Sequence, residues 1–231
     1  MIKNYRLNLI ILLLLLPVST SFSFSYFNIA PNDTPLYKKN KIYEQQIGFY
    51  NIYKTKHAKI VMLGNSITFG CNWSELLGRN DIVGRGITSD NIEGYLARIN
   101  YIFKLKPEVC FIMGGVNDIF AGFTVEQIFN NYKKLVDTLI SREIKPVIQS
   151  TLFVNPKWKN TEGKNLLITK LNDKLKNLAE SKKLVFIDLN SRLIDGKNLK
   201  DEFTTDGVHL TWKAYRIWGE ELEKILFKLK I

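Results

Sequence analysis

Five short apolar runs recur between residues 59 and 187, most of them followed by a helical stripe, and this alternation constrains the fold more than any other feature. Lys59-Ile60-Val61-Met62-Leu63 ends at Gly64, and Ile82-Val83 is a second, very short run. Val109-Cys110-Phe111-Ile112-Met113 is closed by Gly114-Gly115, and Pro146-Val147-Ile148-Gln149 and Leu184-Val185-Phe186-Ile187 complete the set. Runs this brief and this apolar suit strands buried on both faces. Between them, Ile92, Tyr95, Leu96, Ile99 and Phe103 share one helical face. Val125, Ile128, Phe129, Tyr132, Leu135, Val136 and Leu139 share another, opened by a capping box of Thr124 and Gln127. Leu167, Leu171, Leu175 and Leu178 form a third stripe, and residues 212–229 read as a closing helix. Strands alternating with helices predict a single three-layer α/β/α domain around a five-stranded, mostly parallel, flavodoxin-like sheet.

The ends of the chain read differently. Lys3 and Arg6 precede the apolar run 10–16, then Pro17 and the small residues Ser19, Ser21, Ser23 and Ser25. That order is the n-region, h-region and cleavage region of a secretory signal over residues 1–25, with an uncleaved anchor as the competing reading. The apolar run is shorter than the roughly 18 residues a membrane span needs, so no stable span is expected once the signal is removed. Residues 26–56 form an extension in which Pro31 and Pro35 break regular structure and Ile42, Gln46, Phe49 and Tyr53 recur at helical spacing. The α/β/α domain is assigned to residues 57–231. Export to the outside or the cell envelope follows from the signal. An exported Cys71 and Cys110 have access to disulfide chemistry, while two buried free thiols are the plainer state.

The chain carries 33 Lys and Arg against 22 Asp and Glu, a net charge of +11. The basic residues are scattered lysines on solvated helix faces, with no arginine-rich run and no aromatic pattern beside them, which argues against a nucleic-acid partner. Two histidines and no Cys/His cluster give no metal site, and there is no phosphate loop or dinucleotide fingerprint. No cofactor is expected.

In a doubly wound sheet, ligands bind beyond the carboxyl ends of the strands. The residues at those ends are chemically unusual. They are Gly64-Asn65-Ser66-Ile67-Thr68 after the first run, Gly84-Arg85-Gly86-Ile87-Thr88 after the second, and Gly114-Gly115-Val116-Asn117-Asp118 after the third. Thr205-Asp206-Gly207-Val208-His209 stands near the C-terminus. Together they resemble the SGNH (GDSL-type) hydrolase family. Residues 64–68 look like its serine block, with Asn65 in place of the more usual aspartate, and Gly86 resembles the block-two glycine. Gly115-x-Asn117-Asp118 matches the GxND block and Asp206-x-x-His209 the DxxH block, in the family's order, across about residues 57–220. Any one of these tetrapeptides is weak evidence, whereas four in order at strand ends are specific.

The resemblance implies a serine esterase with Ser66 as nucleophile, His209 as general base and Asp206 as the carboxylate orienting it. It also implies an oxyanion hole of Ser66 N–H, Gly86 N–H and the Asn117 side-chain amide. The chemistry agrees, since acyl transfer needs a nucleophile, a base for its proton and donors for the oxyanion. Each residue also has a plainer role: helix cap for Ser66, turn residue for Asp206 and Gly86, Asx-turn for Asn117. His57 precedes the first strand, away from the carboxyl edge, and is read as incidental. Asp118 is read as a brace for its loop.

The expected substrate is a small-molecule or glycan ester with a short acyl group, acetyl foremost. The connections after the first three strands are brief, and Trp73, Phe120, Phe123 and Trp158 fall near the site in sequence, where rings stack on sugars or pack in a core. A lipid or lysophospholipid ester is the alternative within the class, and a catalytically silent glycan-binding module the alternative outside it.

Overall fold

The apolar runs pair side by side into one sheet, and the order in which they do so decides where a ligand can sit. The structure, a computed structural model, describes residues 34–231; residues 1–25, expected to be a secretory signal, lie outside the described residues. The five strands are β1 (Ile60–Gly64), β2 (Ile82–Gly86), β3 (Val109–Met113), β4 (Lys145–Gln149) and β5 (Val185–Ile187). They lie in the order β2-β1-β3-β4-β5, and every pairing is parallel. Strand order reverses between β1 and β3, so the crevice beyond their carboxyl ends is the switch point where such sheets bind ligands.

The helices in chain order are α1 (Lys41–Ile52), α2 (Ser66–Phe69), α3 (Trp73–Leu76), α4 (Ile92–Ala97), α5 (Asn100–Phe103), α6 (Val116–Phe120), α7 (Val125–Ile140), α8 (Thr161–Ser181), α9 (Asn190–Leu193) and α10 (Trp212–Leu229). They cover both faces of the sheet, and β1 and β3 are buried along their whole length. That is the reason their sequences are continuous apolar runs rather than alternating ones. Truncating a residue such as Leu63 or Phe111, both fully buried, would cost about 2–5 kcal/mol. The capping box of Thr124 and Gln127 is formed, and α7 buries Ile128, Tyr132, Leu135, Val136 and Leu139 as its spacing predicts. In α8 the buried stripe is Ile168, Leu171, Leu175 and Leu178, with Leu167 at its margin.

Two local readings change, and one hairpin is added to them. The stripe 92–103 is two helices, not one. The first ends at Ala97 with Arg98 as its C-cap, and the Arg98 guanidinium turns inward to the strand ends. On α1 the buried residues are Tyr43, Gln46 and Tyr50, while Ile42, Phe49 and Tyr53 are exposed. The tyrosines win the inner face because their hydroxyls donate to backbone carbonyls there, Tyr43 to Gly94 and Tyr50 to Gly86. Residues 194–199 form a hairpin of β6 (Ile194–Asp195) and β7 (Asn198–Leu199), turning at Gly196 in the left-handed region. Its Asp195-Gly196 pair is a hairpin signal legible in the sequence. Cys110 is buried and Cys71 half-buried, and both are free thiols.

Candidate active site

Strand β1 delivers Ser66 by running straight into α2. Asn65 caps that helix, its Oδ1 accepting from the Ile67 N–H at 3.0 Å, so Ser66 is the first helical residue. The turn is tight. A Cβ on Gly64 would lie 1.9 Å from Thr68 Oγ1, and one on Gly86 would lie 2.3 Å from Phe69 N and 2.7 Å from Asn65 O. Gly86, the last residue of edge strand β2, is therefore required for close approach; its φ is not in the left-handed region. The serine's helix closes directly against it.

The loop before α10 brings the other half. His209 Nε2 stands 3.0 Å from Ser66 Oγ, and His209 Nδ1 lies 2.6 Å from Asp206 Oδ2. The second Asp206 oxygen accepts the backbone N–H groups of Val208 and His209, at 2.9 and 2.8 Å. Asp206 is thus both the turn residue and the imidazole's partner, and Gly207 completes the turn with φ +100°. Burial pulls the Asp206 carboxyl upward. The hydrogen bonds from the His209 ring and from the two backbone N–H groups outweigh it, leaving the group below its ordinary value. An ionised Asp206 places the proton of His209 on Nδ1, which leaves Nε2 free to accept one from Ser66. The site is open to solvent, with His209 and Asp206 side chains 47% and 45% exposed.

Strand β3 supplies Asn117 through α6. Its Nδ2 donates to the Asp90 carbonyl at 2.8 Å, which occupies one of two amide hydrogens and leaves the other available. The two glycines before it answer to packing rather than to a ligand. A Cβ on Gly114 would strike Ile92 and Tyr95, and Gly115 has φ +104° with Leu171 and Thr151 close by. Asp118 is buried and braces the neighbouring loop by accepting the Ile92 N–H at 3.2 Å. His57 is exposed and precedes β1, at the opposite edge of the sheet.

The aromatic residues divide. Trp73 is fully buried against Trp218, with its Nε1 donating to Thr68 O, and is core. Phe120 and Trp158 are half-buried and stack on each other at 5.0 Å. Exposed instead are Phe69 and Trp212, 54% and 69%, each three residues beyond a site residue. Spacing along the chain does not distinguish them from Trp73, because it does not show which way a ring points. Also unread in the sequence was Arg98, fully buried and paired with Asp90 at 2.8 Å. Among the described residues no group of three or more His, Cys, Asp or Glu is placed to hold a metal ion, and no helix is long and apolar enough to cross a membrane.

A serine, histidine and aspartate stand in line at the carboxyl edge of a flavodoxin-like sheet, the groups and the place that acyl transfer to a serine would use. The chain belongs to the GDSL-like Lipase/Acylhydrolase family, whose profile matches residues 62–217. It is 27% identical over 193 residues to an N-acylneuraminate cytidylyltransferase of Streptococcus agalactiae, covering 84% of this chain and 44% of that one. It therefore spans less than half the length of that relative. It is 25% identical over 177 residues to an isoamyl acetate-hydrolyzing esterase of Saccharomyces cerevisiae, covering 66% of this chain and 71% of that one. A GDSL-like lipase from Bacteroides thetaiotaomicron shares the fold, with a TM-score of 0.72 at 23% identity over 81% of this chain and 98% of that one.

Proposed function

We propose that the chain hydrolyses short-chain esters, acetyl foremost, carried on carbohydrate, through an acyl-enzyme on Ser66. The observation that carries the mechanism is the line from Ser66 Oγ through His209 to Asp206, at 3.0 and 2.6 Å. Ser66 Oγ attacks the ester carbonyl while its proton passes to His209 Nε2. The oxyanion is held by the N–H groups of Ser66 and Gly86 and by the free Asn117 amide hydrogen. His209 returns the proton to the leaving alcohol as the C–O bond breaks. Water then repeats the sequence and releases the acid. Asp206 keeps the imidazole in the required tautomer and stabilises the imidazolium.

The substrate reading rests on other features. Phe69 and Trp212 are exposed three residues beyond Ser66 and His209 and offer faces for a sugar ring. The relatives include an acetate-ester hydrolase and a protein named for an acylated sugar acid. A lysophospholipid or other lipid ester is the second reading, because exposed rings also bind acyl chains. Export through residues 1–25 is part of the proposal, and N-terminal sequencing of the mature protein from envelope and medium fractions tests it. The test of substrate is a series of p-nitrophenyl esters from acetyl to palmitoyl, followed by acetate release from acetylated polysaccharides. The expected kcat/KM is highest for acetyl, with acetate released from a glycan. A maximum at octanoyl or longer, with no glycan yielding acetate, contradicts the carbohydrate reading and leaves the ester hydrolase standing. Binding to glycans without turnover of any ester would favour the silent module.

A further inference from the structure

The three proposed oxyanion donors sit on three different strand ends, and one helix holds all three ends. Arg98, at the C-terminal end of α4, is fully buried. Its Nη2 donates to the carbonyl of Gly64, two residues before Ser66, at 2.9 Å, and its Nη1 donates to the carbonyl of Arg85, next to Gly86, at 2.9 Å. Its Nε pairs with Asp90 at 2.8 Å, and the Asp90 backbone carbonyl accepts from Asn117 Nδ2 at 2.8 Å. One turn earlier on α4, Tyr95 is equally buried, lies beneath the guanidinium at 5.1 Å, and donates its hydroxyl to the carbonyl of Met113, which ends β3. The same packing dictates glycine at two neighbouring positions. A Cβ on Gly94 would lie 1.8 Å from Asp90 Oδ1, and one on Gly114 would lie 2.8 Å from the Tyr95 hydroxyl oxygen.

We infer that Arg98 and Tyr95 are positioning residues for the oxyanion hole, fixing the relative placement of Ser66, Gly86 and Asn117. The Gly64 carbonyl accepts the Ile87 N–H at 3.1 Å and has a second lone pair to offer, and a planar guanidinium can hold two such carbonyls together in a way a lysine's single ammonium cannot. A buried cation needs its own counter-charge, and Asp90 supplies it while lending its backbone to Asn117. The consequence is that the three donors move as a set. Their spacing matters to the charged transition state far more than to the bound ester, so the effect belongs in kcat.

This inference rests on the esterase reading above, and the test separates the two. Arg98→Lys, Asn117→Ala and the double variant are assayed on p-nitrophenyl acetate well below their melting temperatures, with Ser66→Ala as the control. Arg98→Lys is expected to lower kcat by about tenfold to a hundredfold, the loss that misplacement of about 1 Å brings, with KM little changed. In the Asn117→Ala background the same substitution should cost distinctly less, because one donor it positions is already gone. Tyr95→Phe removes a single oxygen and keeps the ring, so it serves even if Arg98→Lys fails to fold; it too should lower kcat with KM held. A kcat unchanged in Tyr95→Phe and in folded Arg98→Lys, or losses that simply multiply in the double variant, overturns the inference and leaves the esterase reading intact. Undiminished hydrolysis by Ser66→Ala overturns the esterase reading itself.

Discussion

Ser66 Oγ and His209 Nε2 lie 3.0 Å apart although 143 residues separate them in the chain. Two independent anchors fix that distance. Ser66 is held by the Asn65 cap and by the contact of α2 with Gly86. His209 is held from its own side by both oxygens of Asp206. Between the two elements, the Tyr215 hydroxyl on α10 donates to the Ile67 carbonyl on α2 at 2.7 Å.

The role assigned to Asp206 gives the first prediction. Asp206→Asn keeps an oxygen for the two backbone N–H groups, so the turn should survive. It presents no carboxylate to Nδ1, and the imidazole loses the tautomer that leaves Nε2 free. The expected result is a fall in kcat of about 10²–10⁴ with circular dichroism unchanged. An unchanged kcat in the folded variant contradicts the role.

Gly86 tests the contact between β2 and the serine's helix. In Gly86→Ala the new methyl must displace backbone at Phe69 and Asn65, neither of which is a flexible side-chain end. Stability in urea should drop by about 1–3 kcal/mol, and kcat by about tenfold or more as Ser66 shifts. Wild-type kcat in Gly86→Ala would show that α2 has freedom the packing denies it.

Stability should also depend on pH in a definite direction. Burial pushes the Asp118 carboxyl up to about 7, against the pull of the Ile92 N–H. Burial likewise raises Asp90 to about 6 against the attraction of Arg98. An unfolded carboxyl titrates near ~4. Between these values the folded state holds a proton that the unfolded chain has released, so stability declines as pH rises through about 7. Asp81, Asp137, Asp206 and Glu221 are held below their ordinary values and titrate beneath this window. The urea midpoint should therefore fall from pH 5 to pH 8, with a shallower slope in Asp118→Asn. A rising midpoint, or the same slope in the variant, contradicts this account.

Much of this was legible in the residues. A strand buried on both faces has to be an unbroken apolar run, so β1 and β3 could be read almost to the residue. The block residues could be located because a parallel sheet puts its chemistry at the carboxyl ends. What escaped reading depends on polar atoms reaching partners far away in the chain. Tyr43 and Tyr50 take the inner face of α1 because carbonyls await their hydroxyls, which hydrophobic spacing does not record. Arg98 lies in the sequence within an apolar stripe, and only the fold brings Gly64, Arg85 and Asp90 around it. Trp73 followed the serine closely in sequence yet points into the core, since proximity along a chain says nothing of direction.

The central claim is that Ser66 is the nucleophile activated by His209, and covalent labelling tests it most directly. The purified chain is treated with a fluorophosphonate and read by intact mass and peptide mapping. The account predicts a single adduct on Ser66, none on Ser66→Ala, and labelling slowed by orders of magnitude in His209→Ala. An adduct on another residue, or hydrolysis of p-nitrophenyl acetate persisting in folded Ser66→Ala, would contradict it.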